Sequence, residues 1–206
     1  LKNGFIHTVS MGVIEGSILF ENGKILIVAK YISPPDNCEV IDLSGKHVYP
    51  GMIAAVSGIG LIEINAVSVT NDHSERGDFN PNVRTNVAYN PDSELIPTTR
   101  SNGVLVANVV PSSGLVSGQS SIMMLDGWTW EDATLQSPSG LHINWPSMKT
   151  EATTDYQKKA LKTAKKHLSM LETMIKDARA YMRLRKTKTR KAENYHPEDL
   201  RWESMI

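Results

Sequence analysis

Histidines are the residues best suited to metal or acid–base chemistry in this 206-residue chain, which contains six of them. Imidazole is a common ligand for zinc and related ions, and a site built on one strand or helix needs two such donors at short spacing. No two of the six form an H-x-H, H-x-x-x-H or H-E-x-x-H pattern. They are His7, His47, His73, His142, His167 and His196. Their spacing therefore predicts no metal cluster within this chain.

Cysteine usage and hydropathy exclude further classes of site. Cys38 is the single cysteine, so neither an internal disulfide nor a zinc site built from cysteines can form within the chain. A lone thiol is compatible with the bacterial periplasm and the cytoplasm equally, so the localisation stays unknown. No window reaches the roughly 18 uninterrupted apolar residues that a transmembrane helix needs, so we expect no membrane span.

A glycine- and serine-rich segment, 112–121, lies in the middle of the chain. It lacks the Gly-Lys-Ser/Thr ending of a phosphate-binding loop, and it contains neither G-x-G-x-x-G nor G-x-S-x-G. We predict a tight loop after a buried strand, with glycines supplying backbone freedom.

The net charge of zero conceals an uneven distribution. Residues 1–150 hold 8 Lys and Arg against 14 acids, whereas residues 151–206 hold 14 against 8. The basic part includes a predicted amphipathic helix, 154–184, whose apolar positions recur every three or four residues. These positions are Leu161, Ala164, Leu168, Leu171, Ile175, Ala178 and Met182. The basic face could follow a phosphate backbone, but the solvated face of a packed helix is favoured, so no nucleic-acid partner is expected.

Residues 1–50 have the pattern of short β-strands. Asn22-Gly23 lies between two apolar runs, which is a strong signal for a type I′ hairpin. A second hairpin is predicted from 40–43 to 47–49. Several short strands at this spacing favour a β-sandwich-like subdomain.

Beyond residue 50 the pattern changes to that of an α/β fold. Asn90 and Pro91 predict a helix start, and Asn102-Gly103 predicts its end. The continuous apolar run 104–110 predicts a strand buried on both faces, and 122–125 predicts another strand. Residues 186–195 are predicted to form a loop, and His196-Pro197 to start a last helix.

Several spaced segments resemble one known family. Lys46-His47-Val48-Tyr49-Pro50-Gly51-Met52-Ile53 resembles the segment that joins the two domains of the amidohydrolase superfamily. Segments 91–104, 114–120 and 125–132 are similar to its imidazolonepropionase-like branch. The resemblance implies an N-terminal β-sandwich subdomain, 1–50, followed by the opening part of a (β/α)8 barrel, 51–206, that is incomplete in this chain.

The chain departs from that family at the first barrel strand. The resemblance implies two histidine ligands there at i and i+2, yet Val56 and Gly58 occupy these positions, and Ala54 replaces the usual acid. Neither Val56 nor Gly58 can bind a metal, so no metal and no cofactor is predicted for this chain. Val56, Ser57, Gly58 and His73 remain pocket candidates; the catalytic residues are unknown. For His73, a solvated loop histidine is the favoured interpretation, since a lone histidine lacks the convergent partners that a site needs.

The resemblance leads to one main hypothesis and two alternatives. We expect the chain to be the N-terminal portion of a metal-dependent hydrolase of non-peptide C–N bonds, or of a degenerate relative, with a small-molecule substrate. Zinc or another divalent metal is possible in that longer parent. The alternatives are a non-catalytic binding barrel and a basic-helix interaction module. The 206 residues alone are expected to be inactive and to self-associate.

Overall fold

The computed structural model describes residues 1–64, 66–148, 153–186 and 197–206. The chain has a mixed α/β structure and divides into two compact units, Leu1–Gly51 and Met52–Ile206. Each unit contains one four-stranded sheet. In the described part of the chain, no helix is both long and apolar enough to cross a membrane.

The sheet of the first unit has the strand order β3-β2-β1-β4. Its strands are β1 (Gly4–Thr8), β2 (Gly12–Glu21), β3 (Lys24–Ala29) and β4 (His47–Val48). The predicted Asn22-Gly23 hairpin is confirmed: it joins the antiparallel strands β2 and β3, and both turn residues have positive φ. These residues form a single sheet, so they do not supply the second layer of the predicted sandwich.

The second hairpin predicted in this unit is wrong. The backbone N–H of Lys2 donates to Ile41, and that of Leu43 donates to Lys2, so residues 41–43 lie beside the N-terminus. After a turn at Gly45, β4 pairs in parallel with β1. Residues 41–43 pair with Lys2 and β4 pairs with β1, so these two segments do not pair with each other.

The second unit begins with a parallel pair and continues with antiparallel strands. Its sheet has the order β5-β6-β7-β8, in which β5 and β6 are parallel and the other pairs antiparallel. The strands are β5 (Met52–Ser57), β6 (Val104–Val109), β7 (Val116–Met124) and β8 (Thr134–Ile143). A 3-10 helix covers Ser68–Thr70, and the α-helices are α1 (Thr85–Ala88), α2 (Leu95–Ser101), α3 (Trp130–Ala133), α4 (Asp155–Lys186) and α5 (Leu200–Glu203).

The loop predicted for 112–121 is a loop only as far as Leu115, because β7 begins at Val116. The small residues of this segment are buried in the sheet, where their hydroxyl groups are hydrogen-bonded. Ser121 donates to Ser137 on β8 at 3.0 Å, and the Ser120 and Ser139 hydroxyls are 2.8 Å apart. Serine and glycine are needed here for close strand packing, not for a turn.

Helix α2 begins later than its sequence predicts. The Asn90 side chain accepts a hydrogen bond from the Asp92 N–H, but this makes only a turn. Ser93 is buried and donates to Glu63 at 2.9 Å, and the helix starts at Leu95. Its predicted end is confirmed by the positive φ of Gly103.

The main core of this unit surrounds β6 and β7. Its buried members are Leu61, Tyr89, Ile96, Ala107, Val109, Met123, Leu125 and Ala133. Ala107 and Val109 on β6 are fully buried, whereas Leu105 is 47% exposed. Leu105 shares one face with Ala107 and Val109, and on the other face Val104, Val106 and Asn108 are half-buried, so neither face of β6 is buried along the whole strand as predicted.

The long helix α4 buries three positions of the predicted stripe, Ala164, Leu171 and Ala178. Ile175 is 39% exposed, and Met174 takes its place beside Leu171. The last helix, α5, starts at Leu200 with Asp199 as its cap, so the predicted start at Pro197 is wrong. The predicted loop 186–195 begins one residue too early, because Lys186 belongs to α4; the rest of that segment and His196 lie outside the described residues.

Burial of Tyr89 provides a test of this core. The Tyr89 ring packs so closely on Gly60 that an added Cβ there would lie 2.5 Å from it. Burial raises the pKa of Tyr89 from 10.0 to about 12. Since the folded state favours the neutral phenol, this contribution to stability is complete below pH 10 and is lost as the pH rises towards 12.

We therefore expect the urea midpoint of the wild type to fall more between about pH 9 and about pH 11.5 than that of Tyr89→Phe. Tryptophan fluorescence reports on the second unit, which contains all four tryptophans. Tyr31→Phe is the matched control, because Tyr31 is 83% exposed. The same pH dependence in all three proteins would contradict a buried Tyr89.

Candidate functional site

The parallel strands β5 and β6 end side by side, at Ser57 and Val109. The Val110 N–H donates to the Ser57 carbonyl at 2.9 Å, which holds the two exits together. In α/β folds, ligands bind beyond the carboxyl ends of such strands. A ligand site is therefore expected at this edge.

A cavity of about 330 Å³ lies next to this edge. Residues 72–75, 82–85 and 87–88 line it, together with Pro111 and Ser117. Pro111 is the second residue after β6, so the cavity begins where that strand ends. A larger cavity, about 560 Å³, lies in the first unit, but no buried polar atom there lacks a hydrogen-bond partner.

The segment 72–75 is attached to the chain that leaves β6. The Ser112 N–H donates to the His73 carbonyl at 2.8 Å. The Ser113 hydroxyl accepts from the Glu75 N–H at 3.0 Å and donates to the Glu75 carbonyl at 2.9 Å. These three bonds fix the backbone beneath the His73 side chain.

The opposite wall, 79–84, pairs with β7. β6 pairs with residues 121–124 of β7, and the earlier part of β7 forms parallel bridges to Phe79 and Arg84. Gly118 allows this approach: its φ is +135°, and an added Cβ would lie 2.8 Å from the Val83 carbonyl oxygen. A side chain at this position would push the wall away from the strand.

Thr85 connects this wall to the end of β6. Its side chain is 3% exposed, and its hydroxyl donates to the Val109 carbonyl at 2.9 Å. The bond fixes the start of α1, which follows Arg84 directly. The cavity is thus bounded by segments that are each hydrogen-bonded to β6, to β7 or to the chain that follows β6.

His73 is the cavity residue best suited to bind a ligand. Its Nδ1 atom is buried and has no hydrogen-bond partner among the described residues. Most buried polar atoms are satisfied by protein or water, so the unpaired Nδ1 of a residue that lines the cavity is a candidate partner for an ordered water or a bound molecule. Nδ1 can donate or accept according to the tautomer of the ring.

Charges of both signs line the same cavity. Asp72 and Glu75 supply carboxylates, and Arg84 supplies an exposed guanidinium that makes no ion pair with any described residue. A guanidinium can bind a carboxylate through two parallel hydrogen bonds. The arrangement therefore suits a small polar molecule that carries both donors and acceptors.

Of the four pocket candidates chosen from sequence, His73 lines this cavity and the other three do not. Val56 is 74% exposed on β5. The Ser57 hydroxyl accepts from the Ile59 N–H at 3.1 Å, and Gly58 faces the Ile62 side chain. Sequence analysis missed Asp72, Glu75 and Arg84, because charged residues in a polar segment carry no motif.

The residues at the first-strand positions do not fit a catalytic metal. Neither the isopropyl group of Val56 nor the hydrogen of Gly58 can donate an electron pair. Within the described ranges, no group of three or more His, Cys, Asp or Glu side chains is placed to hold an ion. A protein-bound zinc or similar ion needs three or four convergent donors.

Comparison with known proteins supports the fold. No protein-family model matches the chain, and no curated protein matches it. Among solved structures, the chain is similar to an amidohydrolase from Thermotoga maritima MSB8. The identity is 24%, the TM-score is 0.82, and the match covers 98% of this chain and 53% of that one. The chain thus has an amidohydrolase-type fold and spans about half the length of that protein.

The close approach at Gly118 predicts a large effect of one methyl group. Gly118→Ala should destabilise the second unit by about 2–3 kcal/mol, because the residue must keep a positive φ and displace Val83. Gly140→Ala on the neighbouring strand should change stability by less than about 1 kcal/mol, since its φ is ordinary and the nearest atom is 3.7 Å away.

Urea unfolding followed by tryptophan fluorescence measures both variants. Equal stability of Gly118→Ala and Gly140→Ala would show that the 79–84 segment does not lie against β7.

Proposed function

We propose that the chain is the N-terminal portion of an amidohydrolase-type hydrolase that acts on a non-peptide C–N bond of a small molecule. The observation that supports this most directly is the cavity with the unpaired His73 nitrogen, located beyond the carboxyl ends of β5 and β6. In (β/α)8 enzymes substrates bind at this edge of the sheet, and the similarity to a solved amidohydrolase supports the same location here. Within the amidohydrolase superfamily, we propose the imidazolonepropionase-like branch as the more specific assignment.

In this proposal the cavity binds and orients the substrate. Arg84 would bind a carboxylate or a carbonyl oxygen, His73 would hydrogen-bond a second polar atom, and Asp72 and Glu75 would accept from N–H groups. A carboxylate-bearing urea or amide presents these groups within one small molecule. We assign no catalytic step to these residues.

Val56 and Gly58 cannot supply ligands to any zinc or other divalent metal of the parent protein, so such an ion would take its ligands from other positions. The same two residues favour a second candidate function, a non-catalytic barrel that binds a small molecule without hydrolysing it. The third hypothesis, a basic-helix interaction module, rests only on the charge of α4.

Binding by the cavity can be tested with small C–N compounds of the proposed class. N-carbamoylglycine, N-acetylglycine and hydantoin are suitable probes in ligand-observed NMR with the purified chain. We expect at least one of them to bind, and Arg84→Ala and His73→Phe each to weaken that binding about tenfold, or about 1.4 kcal/mol.

Arg76→Ala is the matched control, because Arg76 is exposed and does not line the cavity. Binding that is unchanged in the Arg84 and His73 variants, or absent for all three probes in the wild type, would contradict the proposed cavity.

Enzyme and binding barrel are distinguished by metal analysis of the parent protein. A stoichiometric zinc or other divalent ion, together with release of amine or ammonia from a bound probe, is expected for the hydrolase. A parent protein that binds the probes, but holds no stoichiometric ion and releases no amine or ammonia, would be a non-catalytic barrel.

Self-association is a further part of this proposal. Among the described residues, β5 pairs only with β6, so its other edge has no strand partner there, and Met52, Ile53 and Val56 are each more than half exposed. Exposed apolar edge strands tend to pair with another chain. Val56→Lys should therefore lower the concentration-dependent association seen by analytical ultracentrifugation, whereas Thr99→Lys on α2 should not. Equal association in both variants would exclude this edge.

A further inference from the structure

The sheet of the first unit carries four rings together on one face. Phe5 on β1 is paired with His47 on β4 in a parallel register. Side chains alternate along a strand, so His7 lies on the same face as Phe5, and Tyr49 on the same face as His47. Ile6, which points the other way, is buried. The proximity of His7 and His47 could not be predicted from their spacing, because 40 residues separate them.

The two histidines are in direct contact. The His7 Nε2 and His47 Nδ1 atoms are 2.9 Å apart. Each imidazole also stacks on an aromatic ring, with centroid distances of 4.1 Å for His7–Tyr49 and 5.0 Å for Phe5–His47. Stacking restricts both side chains before any ligand arrives, which lowers the entropic cost of binding one.

We propose that His7 and His47 form a two-histidine site for a late divalent transition-metal ion, which Cu²⁺ fills most tightly. Imidazole nitrogens bind such ions at 2.0–2.1 Å. Two nitrogens at that distance with a right angle between their bonds are separated by about 2.9 Å. The distance between the two facing nitrogens is therefore that between adjacent ligands on one ion. Copper heads the stability order of the divalent first-row metals.

The protons balance without an added reactant. In the neutral pair, one of the two facing nitrogens carries the hydrogen of their mutual bond. When the ion binds, that ring takes its other tautomer, so the proton moves to its far nitrogen and both facing nitrogens donate electron pairs. His47 is exposed to solvent, so water completes the coordination.

This site is separate from the cavity and from the proposed hydrolysis. Both ligands belong to Leu1–Gly51, whereas the cavity is built entirely from Met52–Ile206. In the described part of the chain, no third His, Cys, Asp or Glu completes a three-residue group. Two protein ligands give a surface site that exchanges its ion readily rather than a catalytic centre.

Titration of the purified chain with CuCl₂ in a non-coordinating buffer tests the site by calorimetry. We expect one Cu²⁺ per chain, with affinity lowered at least about tenfold in His7→Gln and in His47→Gln. His167→Gln on α4 is the matched control and should bind as the wild type does. Affinities in the His7 and His47 variants equal to that of the wild type would overturn the proposal.

A measurement on the wild type avoids dependence on the folding of the variants. Substoichiometric Cu²⁺ should broaden the imidazole proton signals of two histidines before the others. Assignment by the spectra of His73→Phe, His142→Gln, His167→Gln and His196→Gln must leave His7 and His47 as that pair. Uniform broadening of all histidine signals, or no broadening, would overturn the site even if both variants failed to fold.

Discussion

The pairing of residues 79–84 with the first part of β7 is the constraint on which the candidate cavity depends. β6 bonds only to residues 121–124 of β7, which leaves the backbone from Val116 to Gln119 with free hydrogen-bonding groups on that side. Buried backbone groups must be paired, and the bridges to Phe79 and Arg84 pair them. The same pairing presents Arg84 at the cavity and brings Thr85 within 2.9 Å of the β6 exit.

A chain of polar side chains supports this arrangement from within the sheet. Asn108 on β6 donates to the Ala55 carbonyl on β5 and accepts from Ser139 on β8, while Ser137 donates to Asn86 on α1. A buried polar group without a partner costs about 1–3 kcal/mol, so each member is retained only while its partners are in place. Such a network specifies one strand register more sharply than apolar packing does, since aliphatic contacts tolerate small shifts.

Features that depend on local backbone conformation were predictable from the sequence, whereas features that depend on the pairing of distant segments were not. The Asn22-Gly23 hairpin and the end of α2 at Gly103 were predictable, because both depend on local backbone conformations that glycine adopts. The strand from Val116 to Ser121 was not, since serine and glycine favour turns locally and only pairing with distant segments makes this stretch a strand. The cavity residues Asp72 and Arg84 were also missed, because their proximity is created by pairing across more than 30 positions of sequence.

The positions at the end of β5 do not line the cavity, and this bears on both the enzyme hypothesis and the hypothesis of a non-catalytic binding barrel. Val56 and Gly58 lie at the end of β5, whereas the cavity is lined by 72–75, 82–85 and 87–88, by Pro111 after β6 and by Ser117 at the start of β7. Replacing metal ligands at the β5 positions therefore changes none of the groups that would hold a substrate. A protein with this half could lose metal-dependent hydrolysis and keep its small-molecule affinity, because binding energy and bond cleavage depend on different residues. Both hypotheses thus require the same cavity, and they differ in the chemistry available beside it.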